Sequence, residues 1–315
     1  MPVVELPLDL GSDGGHHEVA DDQVLVEVLA TPIDPMDLLL IRGLYPLRPD
    51  LPAWAGAEGC GRVVAVGATA DGISVGQLVL LPIRYGAWRS RLVVPATQVC
   101  PLPRSIDPVQ ACMLRVNPLS AAVMLEAFVP LRPGDWVIQS PGAGSVGQFV
   151  VQLARKRGVR TISVVRRSER AALIRSLGGD LVFEDGAALA KQVRAEIGRD
   201  RVALALDGTG GATAGRLAAC LSRGATLVSY GAMSRRPTEL GVDALVFRDI
   251  RHRGFWLRNW TASSSLELMH TKLADLADQH LRGEVAAEYG LSDWRDAVEH
   301  AQHPDRCGRV ILRPS

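Results

Sequence analysis

Residues 135–148, DWVIQSPGAGSVGQ, carry an apolar segment through a turn bearing Gly142, Gly144 and Gly147 and directly into a helical pattern. Glycines spaced G-x-G-x-x-G between a strand and a helix mark the first turn of a parallel β-α-β unit. They permit a tight turn and let the backbone, here with Ala143, Ser145 and Val146, approach a bound pyrophosphate. The helix start adds unpaired N–H groups and the positive end of its dipole. The surrounding sequence keeps the same rhythm. Helical stretches near 144–157, 168–177, 187–197 and 211–221 alternate with the apolar runs DWVIQSP (135–141), TISVVR (161–166), LVFE (181–184), VALALDG (202–208) and ATLVSYG (225–231). That alternation predicts an α/β domain built on a doubly wound parallel sheet.

Upstream the texture changes. QVLVEVLA (23–30), CGRVVAVG (60–67), GQLVLLP (76–82) and WRSRLVVP (88–95) are short apolar runs divided by Gly, Pro and Asp turns, with little helical pattern. They predict a compact β-barrel or sandwich. After 260, helical stretches near 265–281 and 293–302 precede GRVILRP (308–314), a strand expected to return to the first domain. The expected division is therefore 1–115 and 261–315 for the barrel, with 116–260 inserted as the nucleotide-binding domain.

A length of 315 residues suits two domains. A formal net charge of +1, with 47% hydrophobic and 22% charged residues, gives no electrostatic argument for nucleic acid or a membrane surface. No basic leader precedes an apolar stretch and no apolar run approaches a membrane span, so the expectation is a cytoplasmic protein. GSDGGHH (11–17) reads as a loop. Cys60, Cys100, Cys112, Cys220 and Cys307 are scattered without a CxxC pair and read as reduced, mostly buried thiols.

An NAD site wants an acidic residue at the end of the second strand, about 20 residues beyond the glycines, to take the ribose hydroxyls. Here VVRRSER places Arg166, Arg167 and Ser168 in that turn, and Glu169 falls inside the next helix. Guanidinium groups pair bidentately with phosphate, so the pattern favours the 2′-phosphate of NADP.

With these residues in view, the whole chain resembles the medium-chain dehydrogenase/reductases, which join a GroES-like β-barrel to a Rossmann domain. Zinc members begin the turn equivalent to TPIDPMD (31–37) with a ligand Cys and carry a ligand His in the turn equivalent to GAEGCG (56–61). Asp34 and Ala57 stand there instead, and no Cys cluster lies between 80 and 110. No metal is therefore expected. His300, His303 and Cys307 share one helical spacing, but Pro304 interrupts them and no fourth ligand is near.

Two zinc-free branches carry a tyrosine in a turn like GLYP (43–46): quinone oxidoreductases and 2-enoyl thioester reductases. VNPLSAAVML (116–125), TISVVRR, SYGAMS and RGFWLRNW (253–260) are similar to the enoyl reductases, although Ala122 replaces a second tyrosine and GAGSVG replaces an Asn-Ser-Gly-Val-Gly type of loop. The resemblance implies NADPH as cofactor, hydride delivery to the β-carbon of a 2-enoyl thioester, and protonation at the α-carbon by Tyr45 from the interdomain cleft. Residue chemistry alone leaves Tyr45 as either a packing aromatic or a general acid. The resemblance also places Asn117, Tyr230, Gly231, Ala232, Met233, Phe255, Trp256 and Leu257 at the cofactor, with Trp256 beside the acyl chain and Arg309 toward the NADP phosphate. Asn117 suits an N-cap equally well. Glu58 is expected to be a buried structural carboxylate paired with an arginine. The implied partners are a small-molecule activated alkene and a second copy of the chain, joined through 244–258. An NADPH:quinone or enone oxidoreductase, and a catalytically idle NADPH-binding protein, remain alternatives.

Overall fold

The computed structural model describes residues 18–47 and 49–314, so the GSDGGHH segment lies outside the described residues. The chain divides into two units. One holds the described residues up to Val116 together with those from Ser265 onward, and the other holds Asn117–Ser264. The second boundary falls four residues beyond the 260 of the sequence reading, just past the helix Leu257–Ser263.

The first unit is built on the strand Gln23–Pro32. Val24, Val26 and Val28 alternate onto one buried face, as a half-buried strand requires. It pairs antiparallel with Cys60–Val66, Arg91–Pro95 and the C-terminal strand Arg309–Arg313. Leu78–Leu80 and Cys100–Pro101 extend the sheet on one side. On the other, Val285–Gly290 adds to Arg309–Arg313 in parallel. Val63, Val79, Leu81, Leu92 and Val94 join the three valines in the core. Gly61 is required: a Cβ there would lie 2.3 Å from the Glu27 carbonyl oxygen across the bulged pairing.

The second unit is a six-stranded, all-parallel sheet. Its spatial order is Arg251–Gly254, Thr226–Ser229, Val202–Asp207, Trp136–Ser140, Arg160–Val165, Leu181–Glu184. Chain order reverses between Val202–Asp207 and Trp136–Ser140, and such a switch point opens a ligand crevice at the carboxyl ends of the strands. These two strands are buried along their whole length, as expected for parallel strands covered on both faces. The helix Ser145–Lys156 buries Phe149, Val150, Val151, Leu153 and Ala154, and its outer face stays polar. Burying a side chain such as Phe149 stabilises the unit by about 1.5–3 kcal/mol. No helix among the described residues is long and apolar enough to cross a membrane.

Candidate active site

In the nucleotide-binding unit, Gly142 follows Ser140–Pro141 directly, and its N–H donates to the Val164 carbonyl at 2.7 Å. Gly144 N-caps the helix Ser145–Lys156. Packing demands two of the three glycines: a Cβ on Gly142 would lie 2.6 Å from the Ser163 Cβ, and one on Gly147 would lie 2.5 Å from the Gly142 carbonyl oxygen. The helix start is thereby drawn tightly onto the turn, with the amides of its first residues directed outward for an anion. Gln139 fixes the arrangement from beneath, donating to the Gly147 carbonyl at 3.0 Å and to Ser163 Oγ at 3.1 Å.

Arg166, Arg167 and Ser168 are exposed just past the strand Arg160–Val165. The Ser168 N–H donates to Glu184 Oε1 at 2.7 Å, and hydrogen bonding from the Ser168 hydroxyl, with this N–H beside it, holds the Glu184 carboxyl below its ordinary range. Glu184 therefore borders the basic turn, a neighbour that sequence spacing does not reveal.

Two loops continue the sheet beyond its strands. Gly208 N–H donates to the Ser140 carbonyl at 2.6 Å and Tyr230 N–H to the Asp207 carbonyl at 2.9 Å. Met233 N–H reaches the Gly208 carbonyl at 3.1 Å and Ser234 N–H the Thr209 carbonyl at 2.9 Å. Tyr230 lays its ring on Gly208, where a Cβ would lie 2.7 Å from Cζ. Burial, with the Asp207 charge added, pushes the Tyr230 phenol above its ordinary range. Gly231, Ala232 and Met233 are exposed beside it.

Phe255 extends the ladder, its N–H donating to the Ser229 carbonyl at 2.9 Å, and packs edge-on against Phe128 with centroids 6.2 Å apart. Trp256 N-caps the helix Leu257–Ser263, and the Arg258 guanidinium lies 5.7 Å from its ring centroid. Phe255, Trp256 and Leu257 are half-buried. Asn117 is the first residue of the helix Asn117–Ala127 and is buried, and its Nδ2 has no hydrogen-bond partner among the described residues. A buried amide donor left open in this way suits a ligand acceptor. The open amide and the glycine cradle together fit a dinucleotide.

In the barrel unit, the segment after Gln23–Pro32 folds into the short helix Pro35–Ile41. Pro35 opens it, and Asp34 N–H donates to Asp37 Oδ2 at 2.8 Å. Gly43, at φ +65°, ends it with its N–H on the Leu40 carbonyl at 2.9 Å and Leu44 N–H on the Leu39 carbonyl at 2.8 Å. This is a Schellman cap, so the glycine of GLYP serves the helix end. Tyr45 follows it, half-buried, with its N–H 3.2 Å from the Leu39 carbonyl.

Arg309 corrects the sequence expectation. It is 4% exposed, pairs through Nη2 with Asp34 Oδ1 at 2.8 Å, and donates from Nη1 to the Ile33 carbonyl at 3.1 Å. A guanidinium committed to a buried carboxylate is not offered to a cofactor phosphate. The arginine expected beside Glu58 thus belongs to Asp34. Glu58 is fully buried, and its Oε2 accepts the Val116 N–H at 2.8 Å. Burial and the neighbouring Asp34 hold the Glu58 carboxyl well above its ordinary range, and the same causes lift Asp37 to about 8. Ala57 is buried beside them, and its carbonyl accepts the Arg84 N–H at 2.7 Å. His300 Nδ1 lies 2.9 Å from the Tyr289 hydroxyl, and no group of three or more His, Cys, Asp or Glu among the described residues is arranged to hold a metal ion.

Residues 20–104 match the alcohol dehydrogenase GroES-like domain, and residues 145–274 the zinc-binding dehydrogenase domain. The mitochondrial enoyl-[acyl-carrier-protein] reductase of Bos taurus is 35% identical, covering 98% of this chain and 84% of its own. The fold of Etr1p, solved in complex with NADP and crotonyl-CoA, superposes with a TM-score of 0.86 at 23% identity, covering 95% of this chain and 93% of that one. A mycobacterial quinone oxidoreductase superposes with a TM-score of 0.83 at 28% identity, over 96% of this chain and 94% of that one. The expectation of a cytoplasmic location is overturned: the Bos taurus relative, like those of Arabidopsis thaliana and Homo sapiens, is a mitochondrial enzyme by name.

Proposed function

From the premise that the chain belongs to the medium-chain dehydrogenase/reductases, among their enoyl thioester reductases, we propose that it reduces the C=C bond of a 2-enoyl thioester with NADPH. The observation that carries this reading is the glycine turn of 142–147 at the switch-point edge of the parallel sheet, followed one strand later by the basic turn Arg166–Ser168. The cofactor, when bound, supplies a hydride for the β-carbon.

The chain's own residues do the rest. The amides at the start of Ser145–Lys156 take the diphosphate, and Arg166 and Arg167 take the 2′-phosphate. Asn117 offers its buried Nδ2 as a donor, while Tyr230–Met233 and Phe255–Leu257 line the nicotinamide side. Tyr45 protonates the α-carbon as the enolate charge collapses, a transfer suited to a phenol. Zinc takes no part, since Asp34 is held by Arg309 and Ala57 offers no ligand atom. A second copy of the chain adds at the exposed edge strand Arg251–Gly254, beside the exposed Val242, Leu245, Val246 and Phe247. The likeness to a quinone oxidoreductase favours a quinone as the second reading.

NADPH absorbance followed with crotonyl-CoA and with a simple quinone separates the two. Turnover of crotonyl-CoA that drops on Tyr45→Phe is the expected result. Faster quinone turnover, indifferent to Tyr45→Phe, would leave the quinone reading standing. Cofactor binding without turnover of either substrate would remove both.

A further inference from the structure

Arg115 is buried without a counter-charge. It stands in the turn after the helix Pro108–Ala111 and is 5% exposed. Long cationic side chains ordinarily bury their stems and leave the charge in water, and a charge taken out of water is ordinarily paired. Arg309 follows that rule, with Asp34 at 2.8 Å. Among the described residues Arg115 forms no ion pair. Its guanidinium makes a single hydrogen bond there, a long one from Nη2 to the Gln98 carbonyl at 3.4 Å, and its Nε is buried with no partner. The backbone is pinned on both sides, by Leu114 N–H on the Ala111 carbonyl at 3.0 Å and Val116 N–H on Glu58 Oε2 at 2.8 Å.

Gln98 closes the short 3-10 helix Ala96–Gln98, and Cys100 opens the strand Cys100–Pro101. Cys100 Sγ lies 3.9 Å from the His270 carbonyl on the helix Leu266–Asp278. One short stretch therefore touches the guanidinium through Gln98 and the helix turn of His270 through Cys100. His270 is half-buried, and its Nε2 is buried with no partner among the described residues. Burial, and after it the Arg115 charge, pulls the His270 imidazole below its ordinary range, so the ring is neutral at pH 7. A neutral imidazole can present its N–H from Nε2.

The charges around Arg115 do not cancel its own. Burial keeps the Cys100 thiol protonated, and Glu58 is held toward its neutral form. One permanent cation with two bare nitrogens is left inside the barrel unit. A monovalent anion neutralises it, whereas a dianion would leave an uncompensated negative charge in the same place. A monatomic ion also accepts from any direction, while a carboxylate or phosphate needs donors for each of its oxygens. We propose that Arg115 and His270 hold a halide ion, which accepts from the guanidinium and from His270 Nε2 and supplies the missing counter-charge. The site does not depend on the cofactor or substrate reading.

The test is thermal unfolding of the full chain as sodium bromide replaces sodium gluconate at a constant ionic strength of about 0.15 M, in buffer free of chloride, phosphate and sulfate. Gluconate is too large for the site. Wild type should gain about 3 °C or more relative to Arg115→Met, and the gain should saturate. The comparison removes the general effect of bromide on folding. In gluconate alone, Arg115→Met should match or exceed the Tm of wild type, because it lacks the unpaired buried charge. His270→Leu should raise the bromide midpoint about tenfold, the equivalent of one hydrogen bond to a charged group. Bromide also scatters anomalously, so wild-type crystals grown with it should show a peak in contact with Arg115 and His270, a measurement that does not require the methionine variant to fold. A wild-type to Arg115→Met difference that stays flat in bromide, or bromide peaks with none at Arg115, overturns the proposal. An unchanged midpoint in His270→Leu removes the imidazole from the site. A response to sulfate with none to bromide would assign the site to a dianion and overturn the halide.

Discussion

Replacing Arg309 by methionine distinguishes a buried structural guanidinium from one that serves the cofactor. In the structure it is the cation that pairs with Asp34, at 2.8 Å, and both side chains are almost wholly buried. Methionine keeps much of the volume and removes the charge, leaving the Asp34 carboxylate buried beside Asp37 and Glu58. Removing one partner of a buried pair costs about 3–5 kcal/mol, because the other charge is left uncompensated. For a urea dependence of about 2 kcal/mol per molar, that loss lowers the unfolding midpoint of the barrel unit by roughly 2 M. Trp88 reports on it directly: it is fully buried in one cluster with Ile33, Val310 and Leu312, on either side of the ion pair in sequence. A midpoint that moves by less than about 0.5 M, accompanied by weakened NADPH binding, would refute the reasoning and return Arg309 to the cofactor phosphate.

Asp37→Asn tests the proton inventory of the same cluster. The folded-state pKa of Asp37 is raised to about 8, so the native state retains a proton that the unfolded chain gives up near 3.8. Wild-type stability should therefore fall between about pH 4 and about pH 8, at up to about 1.4 kcal/mol per pH unit for one proton. Urea titrations at several pH values should show a smaller fall for Asp37→Asn, since the amide still accepts from the Asp34 N–H. Gly147→Ala places a methyl group 2.5 Å from the Gly142 carbonyl oxygen, which costs about 1–3 kcal/mol as the helix is pushed off the turn. NADPH titration should then show a loss of about tenfold or more, with Trp88 fluorescence unchanged. Asn117→Ala removes an unpaired buried donor, so the unfolding midpoint should hold or rise while NADPH affinity falls about tenfold.

The nucleotide-binding unit is the more legible half of the chain, because parallel strands covered on both faces read as unbroken apolar runs: WVIQS and VALALD are buried throughout. The barrel hides more. Pro35–Ile41 spans only two turns, too short for a helical period to register, and its buried Asp37 reads as polar surface until its bond to the Asp34 N–H is seen. Val285–Gly290, VAAEYG, carries little β propensity, and exists as a strand because Arg309–Arg313 offers it a free edge. The destination of Arg309 depends on a contact with the opposite end of the chain, which no local pattern records. Asp207 carried a visible signal, LDGTGG after an apolar strand, but its neighbour across the sheet comes from a later strand and appears only once the sheet order is known.

The same ion pair bears on metal dependence. A catalytic zinc site needs three protein ligands around an open position. At the two positions where the sequence resemblance places the thiolate and imidazole of zinc members, this chain has a carboxylate bonded to Arg309 and a methyl side chain. Recruiting Asp34 to a metal would strip Arg309 of its partner, a cost of the same few kcal/mol that the methionine variant measures. Prolonged treatment with a strong zinc chelator is therefore expected to leave both the turnover of crotonyl-CoA and the Trp88 unfolding midpoint unchanged. Activity lost on chelation and restored by added zinc would show that the ion pair opens to admit a metal, and the zinc-free mechanism would fall with it.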